Sequence, residues 1–177
     1  VTFGEKGKNV TLSSNVIQVE VNPETGGIRF SDKEGKLLLT DKDYGTQFTP
    51  FDDAGVQSYN VRQVFLLDKD EVIYGLGQQQ TGKVNQRNQK LFLRNQNMSI
   101  CIPFIHSIKG YALYWDNYSP TTFVDNPQEM SFDSEVGDCA DYYFIYGGNA
   151  DKVIANVREL TGQAPLYPLW TLGFWQC

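Results

Sequence analysis

Along Asn15-Val-Ile-Gln-Val-Glu-Val21 the side chains alternate, with Ile17, Val19 and Val21 on one side and Val16, Gln18 and Glu20 on the other. That period of two predicts a strand with one buried face. Asn22-Pro-Glu-Thr-Gly-Gly predicts a turn, Ile28-Arg-Phe a returning strand, and Asp32-Lys-Glu-Gly a second turn before Lys36-Leu-Leu-Leu. The same reading places further strands at residues 61–67, 72–75, 89–94, 100–105, 111–116, 121–124, 129–132 and 142–146. About ten short strands separated by turn signals predict an all-β chain folded as a two-sheet antiparallel β-sandwich, not a series of βαβ units.

A single helix interrupts this pattern. Asn149 is a cap-type residue, Asp151 puts an acid in the first turn, and Gly162 is a stop signal. Between them Val153, Ile154, Val157 and Leu160 form one apolar stripe, so the helix is expected to lie on the sandwich. Pro165 and Pro168 then stiffen a linker into Leu169, Trp170, Leu172, Phe174 and Trp175, an apolar run without alternation. Such runs belong to strands covered on both faces, and residues 171–176 read as the start of one. The expected layout is a sandwich over 1–148, a helix and linker over 149–164, and the beginning of a further domain over 165–177. An uncovered run of this kind also predicts self-association through Trp170, Phe174 and Trp175.

Charge narrows the partners. With 15 Lys and Arg against 21 Asp and Glu the formal net charge is -6, which argues against nucleic acid or an anionic membrane surface as a partner. No run approaches the 18 or more apolar residues of a membrane span. The compartment stays open, with the outside of the cytoplasm favoured. Three cysteines at wide spacings and a single histidine do not supply a structural zinc set, and no metal or cofactor is expected. Cys101 reads as a small core residue, and a Cys101–Cys139 disulfide is left open.

Acid–base chemistry would need paired carboxylates. Asp52-Asp53, Asp68/Asp70/Glu71 and Asp133/Glu135/Asp138/Asp141 all lie beside turns or strand ends, where acids are ordinary solvated residues. Asp41-Lys-Asp43-Tyr-Gly45 starts like a calcium loop but lacks the later ligands and the closing Glu. Gly75-Leu-Gly77 is not a phosphate loop, since no helix pattern follows and no Lys-Ser/Thr closes it. No residue of the chain is therefore assigned a catalytic role. What stands out instead is the long polar stretch from Gln78 to Gln89, with Asn95-Gln-Asn97 beyond it. Long loops carry function more often than short ones. Amides, each both donor and acceptor, suit neutral sugar hydroxyls.

Five ordered segments resemble the N-terminal region of glycoside hydrolase family 31. They are Tyr74-Gly-Leu-Gly-Gln-Gln-Gln80, Ile102-Pro-Phe-Ile105, the stretch from Ser107 to Ser119, Asp141-Tyr-Tyr-Phe-Ile-Tyr-Gly147, and the stretch from Leu160 to Gln176. The resemblance implies a galactose-mutarotase-like sandwich followed by a (β/α)8 barrel, whose first strand would be the one begun at residue 171. In that family two barrel aspartates hydrolyse α-glucosides or α-xylosides with retention, and both would lie beyond Cys177. It also implies that the loop from Gln78 to Asn97 reaches over the barrel mouth, with Gln80, Gln96 and Asn97 facing the sugar. Gln-Gln-Gln after Gly77, and Gln96-Asn97, are similar to the α-xylosidase-type members, although Asn88 stands where glycine is expected in them.

The first expectation is thus the N-terminal sandwich of a retaining α-glycosidase, inactive alone. Its partners would be its own barrel and an α-linked oligosaccharide or polysaccharide. The alternative is a free-standing carbohydrate-binding β-sandwich, which gives no reason for the apolar run near the C-terminus. A mutarotase-like enzyme is a third reading, weakened by the lone His106 beside a core strand.

Overall fold

The computed structural model describes residues 1–175. Fourteen strands appear among them: β1 Thr2–Lys6, β2 Asn9–Ser13, β3 Ile17–Val21, β4 Ile28–Asp32, β5 Leu37–Asp41, β6 Gln47–Asp53, β7 Val56–Leu66, β8 Ile73–Gly75, β9 Lys90–Leu93, β10 Phe104–Ser107, β11 Tyr111–Trp115, β12 Thr121–Asp125, β13 Met130–Gly137 and β14 Tyr142–Tyr146. Helix α1 spans Ala150–Thr161. The strands form two antiparallel sheets, a large one in the order β1-β2-β3-β4-β5-β7-β13-β12-β9 with β6 beside β7, and a small one in the order β14-β11-β10-β8.

Alternation decides which side chains meet between the sheets. Val19 pairs with Phe30, and Phe30 with Leu39, on the inner face, while Glu20, Arg29 and Thr40 pair on the outer one. Aromatic rings close the gap. Phe30 stacks on Phe144 at 4.1 Å between centroids, Tyr142 meets Phe65 edge-on at 5.3 Å, and Trp115 stacks on Phe132 at 5.7 Å. Each ring buried in this way contributes about 1.5–3 kcal/mol relative to exposure. The Trp115 indole also donates to Ser134 Oγ at 2.9 Å, so its burial strands no donor.

Strands β1, β2 and β6 escaped the sequence reading. In β6 almost every residue is exposed and Pro50 sits mid-strand. An edge strand open on both faces has no buried period to read, and proline is tolerated there. The strand expected from residue 100 begins at Phe104 instead, because Ile100 bridges to Gln78 and Pro103 has no N–H to donate.

Helix α1 matches its signals. Asn149 Oδ1 accepts from the Lys152 N–H at 3.0 Å, and Gly162 ends it at a φ of 89°. Val153 and Val157 pack on Ala112 and Ile145, on the outer face of the small sheet. Ile154 and Leu160 remain about half exposed, so only part of the stripe is covered. Cys101 and Cys139 are free thiols, Cys101 half-buried against the core and Cys139 at the surface.

The expected barrel strand is not seen. Residues Leu169–Leu172 make a 3-10 turn, with the Thr171 N–H bonded to the Pro168 carbonyl. Leu166, Leu169, Trp170, Leu172, Phe174 and Trp175 are all largely exposed. A strand needs neighbours for its backbone groups, and the described part of the segment pairs with none. Gln176 and Cys177, the end of that expected strand and the third cysteine, lie outside the described residues.

Candidate functional site

The polar stretch grows from the end of β8. Gly75 and Gly77 have φ of 124° and 80°, and a Cβ on either would collide with the carbonyl of Phe104 or Ile100 respectively. The two glycines thus let the chain run hard against residues 100–104. Between them Leu76 is fully buried, its N–H donating to the Phe104 carbonyl at 2.8 Å.

Beyond Gly77 the chain stays tied to the same segment. Gln78 and Ile100 exchange backbone hydrogen bonds at 2.8 and 3.1 Å, and the Gln79 amide donates to the carbonyls of Leu76 and Ile100. Residues 95–101 are shaped in turn by a tight turn between Gln96 and Ser99, in which Met98 has a φ of 68°. Asn95 Oδ1 latches the Cys101 N–H at 2.8 Å. The turn at Gln96-Asn97 and the run at Gln78–Gln80 are therefore neighbours, although sixteen or more positions separate them in sequence.

The remainder of the loop is rooted in the sandwich. Gln86 is buried, with its N–H on the Ile73 carbonyl and its amide on the Lys83 carbonyl. Arg87 reaches Asp125 Oδ2 at 3.0 Å and also donates to the carbonyls of Asp68 and Glu71. The Arg87 and Asp125 side chains are 11% and 1% exposed. The Asn88 N–H adds a bond to the same Asp125 oxygen at 2.6 Å. Asn88 itself has a φ of 57°. It stands where glycine was expected, and asparagine is among the few residues that adopt this left-handed conformation readily.

Of the residues singled out from sequence, Gln80 and Asn97 are exposed and make no side-chain hydrogen bond among the described residues. Gln96 is exposed too, but its Oε1 accepts from Arg94 Nε at 2.8 Å, which leaves its NH2 group to act. Asn95, named on sequence only as one of three amides, and Arg94, Gln86 and Arg87, given no role there, hold the loop in place. Only the mixture of charge and amides around the loop signalled them.

The carboxylates serve the fold. Glu71 accepts from Ser107 Oγ and Tyr111 Oη and sits 3.0 Å from Lys109 Nζ, which also holds Asp68 at 2.7 Å. Asp41 accepts from Tyr142 Oη at 2.6 Å across the inter-sheet gap and from Gln63 Nε2 at 3.2 Å within its own sheet, while its Oδ1 is buried without a partner among the described residues. Burial pushes the Asp41 carboxyl up to about 7, against the opposing hydrogen bond from Tyr142. Asp43 is turned elsewhere, onto Thr25. Asp52 caps the β6–β7 turn through the Gly55 N–H at 2.7 Å. His106 lies half-buried on the outer face of the small sheet, its Nε2 without a partner among the described residues and its pKa lowered by desolvation.

Comparison with known proteins agrees with this fold. Residues 1–125 match the model of the glycosyl hydrolase 31 N-terminal galactose mutarotase-like domain. An alpha-xylosidase of Saccharolobus solfataricus is 35% identical over 176 residues, covering 94% of this chain and 24% of that protein. An alpha-glucosidase 2 of Bacillus thermoamyloliquefaciens is 26% identical, covering 97% and 23%. The solved dextranase of Flavobacterium johnsoniae in complex with glucose is 28% identical with a TM-score of 0.78, covering 98% of this chain and 22% of its own. In fold alone, an alpha-xylosidase from a soil metagenome complexed with xylose gives a TM-score of 0.87 at 24% identity, covering 99% and 29%. The chain thus spans about a quarter of the length of the curated relatives it matches.

Proposed function

This chain belongs to the glycosyl hydrolase 31 N-terminal galactose mutarotase-like family, and on that premise we propose that it is the substrate-shaping sandwich of a retaining α-glycosidase acting on α-xylosides or α-glucosides. The observation that carries the reading is the pairing of Gln78 with Ile100, which brings the run Gln78–Gln80 beside the segment closed by the Gln96–Ser99 turn. That pairing presents the unengaged amides of Gln80 and Asn97, and the NH2 of Gln96, from a loop whose root is buried. In the intact protein this loop overhangs the mouth of a catalytic barrel, and the three amides reach sugar hydroxyls directly or through water. Residues 165–177 begin that barrel, which covers the exposed apolar side chains between Leu166 and Trp175.

The chain supplies no chemistry of its own. Retention needs two carboxyl groups about 5–5.5 Å apart, one acting as nucleophile and the other as acid and base. The buried carboxylates of Glu71, Asp41 and Asp125 are instead engaged by structural donors. The intact protein is expected to hydrolyse 4-nitrophenyl α-xyloside or α-glucoside with retention, and residues 1–177 alone to hydrolyse neither. Turnover by the isolated chain that disappears on changing one of its own acids would overturn the reading. So would an intact protein inactive on both substrates.

A further inference from the structure

At the end of β9, where the turn between β11 and β12 folds beside residues 94–103, lies a cavity of about 460 Å3, within the range of small-ligand sites. We propose that this cavity is a second carbohydrate subsite, which takes a neutral sugar ring of an oligosaccharide already held by the amide loop. The proposal rests on the α-glycosidase reading for the remainder of that substrate.

Its lining supplies what a sugar ring needs. Tyr114 is half-buried and held by stacking on Tyr143, at 6.0 Å between centroids and 29° between planes. Tyr118 is 98% exposed, an aromatic face that no neighbour among the described residues covers. Such faces pack against the C–H side of a pyranose while the phenol stays in water. The polar groups around them are available. Asp116 is exposed and its carboxylate makes no hydrogen bond or ion pair among the described residues. Asn95 commits its Oδ1 to the Cys101 N–H and keeps its NH2 free. Arg94 lies over the Phe92 ring at 5.4 Å and commits only Nε, to Gln96.

Two features narrow the ligand. One cation and one anion line the same cavity, so an ion of either sign meets a like charge, whereas a neutral polyol uses both. Hydroxyl groups donating to a carboxylate make some of the stronger hydrogen bonds available to a sugar. The Arg94–Gln96 bond also joins the cavity to the loop turn, so one chain of sugar rings can engage both. Asn117 does not join in, because its amide is committed to the Val136 carbonyl and to Ser119, which fixes the turn carrying Tyr118.

The test uses the intact protein with Tyr118→Ala and Asp116→Asn, two exposed positions at which folding is not at issue. The readout is the ratio of kcat/KM on isomaltotriose or a xyloglucan heptasaccharide to that on the matching 4-nitrophenyl monoglycoside. We expect that ratio to fall threefold to tenfold in each variant, mainly through KM. Ratios within twofold of the parent in both variants would overturn the subsite. If the parent turns over neither glycoside, the α-glycosidase reading fails, and calorimetric binding of the same oligosaccharides decides the subsite instead. A Kd weakened at least threefold by Tyr118→Ala supports it, and an unchanged Kd or no binding by the parent overturns it.

Discussion

Residues 86–88 and the amides at Gln80 and Gln96-Asn97, which lie on either side of β9, use the same kinds of polar residue to opposite ends. Residues 86–88 are anchored to the sandwich, where Gln86 is buried and the Arg87 guanidinium and the Asn88 N–H converge on Asp125. Gln80, Gln96 and Asn97 face outward. The difference shows why a loop this polar keeps a defined shape. A buried ion pair is costly to form and far costlier to break, so the inner part pins the backbone while the outer amides keep hydrogen-bonding capacity for a ligand.

The sharpest way to break the contrast is Arg87→Ala. It leaves the buried Asp125 carboxylate without its cation, a loss of about 3–5 kcal/mol. For a chain of this size that corresponds to a melting temperature lower by about 6–20 °C. Calorimetric melting of residues 1–177 measures it, and a shift under about 2 °C would mean that the pair does not root the loop.

Asp41 extends the inner pattern to the gap between the sheets and gives it a pH dependence. Its folded-state carboxyl titrates at about 7, against about 3.9 in an unfolded chain. Between those values the folded chain holds the extra proton, so stability falls as pH rises from about 4 to about 7 and is flat with respect to this group outside that window. The expected loss is on the order of 2–4 kcal/mol. Asp41→Asn should remove that slope in urea titrations run from pH 4 to 8. An unchanged slope would show that Asp41 is ionised throughout.

The outer amides should behave the other way. Gln80→Ala, Gln96→Ala and Asn97→Ala are each expected to leave the melting temperature within about 2 °C of the parent. Each should lower kcat/KM of the intact protein by about 0.5–1.5 kcal/mol, roughly twofold to tenfold. If all three variants match the parent in turnover, the outer amides have no role in substrate binding. The smallest effect is expected at Asn88. Changing it to Gly should alter stability by a few tenths of a kcal/mol, because both residues accept the left-handed conformation, whereas Asn88→Ala should cost about 1 kcal/mol. Equal stability of the two variants would show that this φ is not maintained in solution.

Much of this architecture was legible in one dimension. The alternation at residues 17–21, the aromatic strands 111–115 and 142–146, and the cap and stop of the helix report local preference and burial on one face, which periodicity records directly. The Gly-Leu-Gly run is dismissed as a phosphate loop from sequence, and only the structure shows its use, a positive φ at both glycines against the backbone of residues 100–104. Strands β1 and β6 were illegible, since pairing at an open edge leaves no buried period, and β2, one strand in from β1, has no fully buried residue to record one.

What the tertiary structure alone decided is which polar residues are committed and which are free. Gln86 and Gln80 are chemically identical and six positions apart, yet one is enclosed beside Ile73 and the other is exposed, because the chain folds back between them. Trp115 and Trp170 make the same point for apolar residues, at 0% and 80% exposure. Side-chain type sets how much free energy burial can release, and only the neighbours that the fold brings up determine whether it is released.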